Sequence, residues 1–297
     1  MNNATASAED LRLERNRFLA GLLRGAGGAL IFGLPMLMTM ELWSLGFTIE
    51  PLRLLLSVTL TVPLLFILAQ RMGFERTFTW HEAIRDATVA FAIGIVVSLV
   101  LLVMLGVLKT GMPPDEWVGK VAIQSIPASI GALLGRSQLG GQKEDDEEAG
   151  DEADEDPDEE DEADRIGSSY PRELFMMAIG ALFLSLNVAP TEEVALISYK
   201  MTHWHTLVAI FASITLMHGF VYALAFRGGH ELSEDTPRWH AFVRFTVPGY
   251  VIAVAISLYV LWVFGRLDDT AWTQILMTTI VLAFPASIGA AAARLIL

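Results

Sequence analysis

Apolar residues fall in long runs along nearly the whole chain, separated by short polar segments. Runs of about 18 residues or more, wound as helices, match the hydrocarbon thickness of a bilayer. They predict eight spans, at 26–45, 52–70, 86–108, 118–136, 173–197, 204–226, 243–264 and 272–294. Residues 1–8 are small and polar. Ser7 and Asp10 form a variant capping box that would start a basic interfacial helix over 8–24, leading into the first span.

Several segments recur in order with slowly drifting offsets, the mark of an internal duplication. Gly28-Ala29-Leu30 and Thr39-Met40-Glu41 return 152 residues later as Gly180-Ala181-Leu182 and Thr191-Glu192-Glu193. Ser57-Val58-Thr59-Leu60 returns after 156 as Ser213-Ile214-Thr215-Leu216. Trp80-His81, Arg85 and Ser98 return after 159 as Trp239-His240, Arg244 and Ser257. Pro127-Ala128-Ser129-Ile130-Gly131 is repeated outright, after 158, as Pro285-Ala286-Ser287-Ile288-Gly289. Four spans per copy is an even number, so both copies enter the membrane from the same side, as in parallel-repeat transporters. The expected fold is therefore an all-α polytopic membrane protein. Its parts are an amino-terminal segment 1–25, a four-helix repeat 26–137, an acidic linker 138–171 and a second four-helix repeat 172–297.

Charge refines this picture. The formal net charge is −14, but 16 of the 34 acids lie between Glu144 and Asp164. Without them the chain is balanced, which excludes a nucleic-acid partner because no basic surface exists. The acidic segment has no apolar surface to bury, so it should be a disordered tether. It lacks the turn glycine of a calcium-binding loop. Arg and Lys are concentrated in the loops after even spans (Arg71, Arg76, Arg85; Arg136, Lys143; Arg227, Arg238, Arg244), with single residues Arg53, Lys109, Lys200 and Arg266 after odd ones. This asymmetry places both termini in the cytoplasm, in a bacterial inner membrane. Trp43, Trp117, Trp204 and Trp272 would form the outer aromatic belt, and Trp80 and Trp239 the inner one. No signal peptide is expected, since Arg12, Arg15, Arg17 and Arg24 precede the first apolar run. The absence of cysteine excludes disulfides and thiolate metal sites.

The candidate chemistry centres on residues 187–198, where Asn187, Pro190, Thr191, Glu192 and Glu193 interrupt an apolar run. Ionisable residues at bilayer depth are costly and persist where they find partners or line a cavity. Glu41 stands at the position equivalent to Glu193, and Thr39 at that of Thr191. Pro35 and Pro190 precede them and should kink or locally unwind both helices. Carbonyls freed there, with the threonines and carboxylates, would make an all-oxygen lining suited to a hard cation. The same carboxylates, being desolvated, could instead carry protons. The plain alternative is that they reach the outer interface or pair with Arg53 or Lys200. The second copy is the more polar, with Asn187, Glu192 and His218 in place of Pro35, Met40 and Val62. His218 would either relay protons or hydrogen-bond a neighbour. His203 and His205 make a metal site conceivable, although i, i+2 residues do not share a helix face. Gly131 and Gly289, with their neighbouring small residues, should let helices pack closely, and Pro127 and Pro285 should bend them. Recurrent small-residue faces also allow a homo-oligomer of unfixed number. Trp80-His81 with Arg85, and Trp239-His240 with Arg244, fit either cytoplasmic gating or anionic headgroup contact.

No serine elbow, HExxH, Walker loop or dinucleotide fingerprint is present, so neither an enzyme nor a cofactor is expected. The expected activity is permeation of small cations or protons, by a channel or secondary transporter, with lipids as surroundings. The alternatives are a non-transporting scaffold whose acidic loop recruits a partner, and an intramembrane lipid-modifying or lipid-binding protein using Glu192, Glu193 and His218. The spans, the Asn187–Glu193 stretch and the two Pro-Ala-Ser-Ile-Gly motifs resemble a bacterial family of integral membrane proteins catalogued as a domain of unknown function. The Pro190–Glu193 segment is loosely similar to the Pro-Glu signature of calcium/cation antiporters. That superfamily has inverted repeats with a Pro-Glu pair in each half, whereas here the expected repeats are parallel and the first copy has no such pair. The similarity implies a hint toward cations and no residue roles.

Overall fold

The computed structural model describes residues 2–72, 80–138, 159–225 and 242–296. The chain divides between Glu155 and Asp156 into two compact units. In the first unit α1 runs Asn2–Leu37, α2 Met40–Thr48, α3 Pro51–Met72, α4 Trp80–Met104 and α5 Pro114–Gln138. In the second, α6 runs Glu159–Val188, α7 Glu192–Lys200, α8 His203–Ala225, α9 Val247–Val263 and α10 Trp272–Ile296, with a π-helical turn Phe242–Thr246 leading into α9. Each unit thus has the same order of a long helix, a nine-residue helix and three further long helices. No strand occurs among the described residues.

Among the described residues seven helices are long and apolar enough to cross a membrane, over Phe18–Leu37, Pro51–Gln70, Trp80–Met104, Pro114–Gly135, Tyr170–Val188, Phe242–Val263 and Trp272–Ala293. The remaining expected span, 204–226, falls on α8, whose side chains beyond Gly219 lie outside the described residues. Also outside them are Arg76, Arg227, Trp239-His240 and most of the acidic linker.

Two expectations need correction. The basic amino-terminal helix does run on into the first span, but it does not start at Ser7, since α1 is continuous from Asn2. Nor are 26–45 and 173–197 single spans. Each ends early, at Leu37 and at Val188, and a separate nine-residue helix follows. Nine residues rise only about 14 Å, too little to cross a bilayer. The first apolar window accordingly begins earlier than expected, at Phe18.

One helix in each unit serves as the centre. The spanning window of α5 is 83% buried, against 22–33% for the other three helices of its unit, and the α10 window is 56% buried against 39% and 44%. The Pro-Ala-Ser-Ile-Gly motifs lie on these central helices and meet the first long helix of the same unit. A Cβ at Gly28 would collide with the Gly131 carbonyl and the Gly135 backbone, and one at Gly180 with the Gly289 carbonyl and the Ala293 side chain. Glycine lets the backbones touch at the one place where any side chain would wedge them apart. Pro127 and Pro285 sit inside helices that continue past them.

The central helices are each preceded by a matching turn. Gly106 (φ 69°) ends the helix before α5, and Gly265 (φ 68°) the helix before α10. Val107 N–H donates to the Leu102 carbonyl and Arg266 N–H to the Leu261 carbonyl, both at 2.9 Å. A left-handed glycine followed by this backward bond is the Schellman ending, which satisfies carbonyls that lipid could not.

The glycine contacts yield a contrast to measure. Gly28→Ala should cost about 1–3 kcal/mol through overpacking. Gly21→Ala, where an added Cβ has nothing within 4 Å, should leave stability unchanged or raise it by up to about 1 kcal/mol through helix propensity. Thermal unfolding of the purified variants in detergent checks both.

Candidate site at the helix breaks

The two interruptions are built alike. Helix α1 persists through Pro35 to Leu37, and α2 restarts at Met40 with Glu41 in its first turn. Helix α6 ends at Val188, and α7 restarts at Glu192 with both acids in its first turn. Carboxylates there meet the positive end of the short helix dipole. Thr39 (φ −89°, ψ 123°) and Thr191 (φ −72°, ψ 146°) are the extended residues at the turns. Neither hydroxyl caps the helix that follows. Thr39 Oγ1 donates to the Met36 carbonyl at 2.7 Å and Thr191 Oγ1 to the Val188 carbonyl at 2.8 Å. Each threonine thus closes the helix it terminates.

Two further carbonyls near the second break accept from side chains. Asn187 Nδ2 donates to the Phe183 carbonyl at 2.9 Å. The Arg266 guanidinium, arriving from the turn after α9, donates to the Pro190 carbonyl. The Val188 and Pro190 carbonyls of the expected all-oxygen lining are therefore engaged, and a fixed positive charge sits at the Pro190 carbonyl. Pro190 itself is buried, whereas Pro35 is exposed.

The carboxylates remain. Glu41 is half-buried, and Glu192 and Glu193 are exposed on the surface of their unit. Among the described residues no ion pair is formed by any of the three. Arg53 instead lies 3.0 Å from Glu50. Glu193 shares its helix face with Leu196 and Ile197, which are exposed and apolar. Beside Glu41, a cluster of Leu37, Leu101, Leu102 and Leu108 packs with Trp43 and Trp117.

The short helices are recessed against the central ones. Gly46 of α2 packs on Gly119 and Lys120, whose backbones a Cβ at Gly46 would strike. These are five and six residues inside the start of α5, roughly 8–9 Å of rise. Lys120, 2% exposed, places its ammonium 2.5 Å from Glu116 Oε1. The ammonium also lies 5.4 Å from the centres of both the Trp43 and Phe47 rings. In the second unit Ser198 stands where the 152-residue offset brings Gly46, and the 158-residue offset brings Glu116 and Lys120 to Gln274 and Thr278. Gln274 Nε2 and Thr278 Oγ1 donate to Ser198 Oγ at 2.6 and 2.9 Å, and Ser198 donates to the Ala195 carbonyl at 2.7 Å. A charged clamp in one unit is thus a neutral network in the other.

Reasoning from sequence missed Lys120, Glu116 and Arg266. The Glu116–Lys120 spacing of four on a helix was the available signal. Arg266 bonds a residue 76 positions away and left no such signal.

The histidines do not gather at the break. His205 Nδ1 accepts from Thr202 N–H at 3.2 Å and lies 2.8 Å from Thr202 Oγ1, holding the start of α8. His218 lies 15 residues beyond His203, about 22 Å along α8. Its Nδ1 is 3.1 Å from Thr246 Oγ1, and its ring meets Phe242 edge-on at 5.3 Å. Of its two expected roles, hydrogen bonding to a neighbour is the one with an observed partner, a hydroxyl. Among the described residues no three His, Asp or Glu side chains cluster so as to hold a metal ion.

Residues 21–297 match the DUF2391 family, described as an integral membrane protein, and the chain belongs to that family. No curated protein and no solved structure matches the chain.

The buried clamp predicts an asymmetric pair of substitutions. Lys120→Met should destabilise the protein by about 3 kcal/mol, because it strands the Glu116 carboxylate. Adding Glu116→Leu should restore most of that loss. Thermal unfolding of the single and double variants decides.

Proposed function

We propose that this DUF2391 membrane protein is a permeation protein, a channel or secondary transporter, that passes cations or protons. The observation carrying this reading is the paired interruption: each unit breaks its first long helix at the same place and sets a carboxylate in the first turn of a recessed short helix. Discontinuous helices with ionisable groups at the break are the usual construction of ion and substrate sites in membranes. In this reading Glu193 and Glu192, assisted by Glu41, attract the ion. Thr39 and Thr191 contribute the acceptor lone pairs their own hydrogen bonds leave over. Asn187 and Arg266 hold the second break in shape. His218 stands too far along α8 to share the ion with Glu193, and would serve only the end of a path nearer the amino-terminal side. Because Glu192 and Glu193 lie on the surface of their unit, the ion would be met there, not in the helix core.

The proposed architecture is eight spans in two parallel four-helix repeats, with both termini cytoplasmic in a bacterial inner membrane. The shared element order, the matching Gly28–Gly131 and Gly180–Gly289 contacts and the matching turns at Gly106 and Gly265 support it. The acidic segment 138–171 would tether the repeats, and neither a cofactor nor an enzymatic step is involved.

The test is cation flux into liposomes containing the purified protein. Glu193→Gln should lower flux about ten-fold, the change expected if one carboxylate contributes roughly 1.4 kcal/mol to ion binding. Glu41→Gln should lower it less. Deleting 144–164 should leave most of it. Unaltered flux in both glutamine variants would contradict the proposal, and partner capture lost with 144–164 would favour a scaffold.

A further inference from the structure

A cavity of about 250 Å³ opens in the first unit among the amino-terminal part of α1, the start of α4 and the end of α5. Its floor is Gly21 and Gly25, one helical turn apart, and its walls include Leu22, Ile93 and Leu133. A Cβ at Gly21 would meet nothing within 4 Å, and one at Gly25 would touch only the Ile93 methyl end at 3.0 Å and the Ala132 carbonyl at 3.5 Å. Gly21 therefore leaves space and Gly25 lets Ile93 lie close, in contrast to Gly28 one turn further on, which brings backbones together. At the mouth stands Arg85, its side chain 68% exposed and only loosely paired with Asp86 at 3.8 Å. Arg85 follows Trp80 by five residues; Trp80 is exposed and meets Phe66 at a tilt, 5.6 Å between ring centres, as an aromatic at headgroup height would.

The second unit carries the same positions with the space filled. Glu173 and Met177 stand where the offset brings Gly21 and Gly25. Met177 is fully buried, and its methyl end packs over Gly249, the counterpart of Ala90 in the cavity wall. Arg244, the counterpart of Arg85, lies over the rings of Tyr170 and Phe245 at 5.0 and 5.8 Å. Tyr170 Oη donates to the Arg244 carbonyl at 2.9 Å. One unit has a packed arginine above a filled core, and the other an outstretched arginine above an apolar slot.

We propose that this slot holds one acyl chain of an anionic phospholipid, whose phosphate meets Arg85. An apolar slot open at headgroup height suits a chain, and an exposed guanidinium held only at 3.8 Å by Asp86 suits a phosphate. The stretch of α1 sequence that runs into the slot, 15–24, carries Arg15, Arg17 and Arg24 and no acid. With Arg85 set against Asp86, the sequence about the slot is net positive, which favours an anionic over a zwitterionic headgroup.

The experiment is native mass spectrometry of the purified full-length protein, titrated with phosphatidylglycerol or phosphatidylethanolamine in detergent. Gly21→Leu fills the slot without striking backbone, and Arg85→Gln removes the charge from an exposed position. Each should weaken phosphatidylglycerol binding about ten-fold, with unfolding temperature unchanged. Arg244→Gln should leave it unaltered. Equal phosphatidylglycerol binding by the original protein and Gly21→Leu, or by the original protein and Arg85→Gln, would overturn the proposal. So would phosphatidylethanolamine binding as tight as phosphatidylglycerol, or a homodimer that Gly21→Leu dissociates while lipid binding persists.

Discussion

A helix interrupted in hydrocarbon leaves backbone groups that no water can satisfy, and every such group must find a partner within the protein. The architecture of both units follows from how that requirement is met. Thr39 and Thr191 turn their hydroxyls back onto the helix that has just ended. At the second break Asn187 and Arg266 take further carbonyls. The short helices α2 and α7 pack against α5 and α10, and their first turns present Glu41 and Glu192-Glu193. The carboxylates are the charged groups at the breaks, and none of them forms an ion pair among the described residues. That is why the proposed ion path is assigned to them and not to the carbonyls.

The units share a plan and differ in how it is filled. Gly28 on Gly131 and Gly180 on Gly289 fix the long helices in the same close contact. Around that contact the first unit buries charge, in Lys120 with Glu116, where the second uses Ser198, Gln274 and Thr278. A lysine held inside an apolar bundle is tolerated because a carboxylate and two aromatic rings replace its water. The second unit has its guanidinium at the break instead. The first unit keeps an open slot beneath Arg85 where Met177 closes the second. Under the proposed function, these differences would put the ion chemistry mainly in the second unit and the proposed lipid contact in the first.

Much of this was legible in the sequence because lipid imposes a strong pattern. Apolar run length predicted the long helices, and the ordered repeats pointed to Glu41 as the counterpart of Glu193. The break positions were only partly legible. Pro190 lies in its break, but α1 continues two residues past Pro35, because a proline's missing donor and steric clash act on the preceding turn and need not end a helix. The partners at the breaks were not legible. Arg266 reads as an isolated loop charge until the Schellman turn at Gly265 brings it to Pro190. Lys120 is hidden inside an apolar run, where only its spacing from Glu116 gives it away. The slot was the least legible, since Gly21 and Gly28 look alike in sequence and differ only in what lies opposite.

The central claim is that the acids at the breaks face water within the membrane-spanning part of the protein. The chain has no cysteine, so a single Glu193→Cys substitution supplies a unique thiol. In proteoliposomes that thiol should react with a charged, membrane-impermeant thiol reagent, and permeant cations should slow the reaction. The thiol of Phe211→Cys, on an exposed apolar position of α8, should stay unmodified. If the Glu193→Cys thiol is as inert as the one at 211, the carboxylate faces lipid and the account is contradicted.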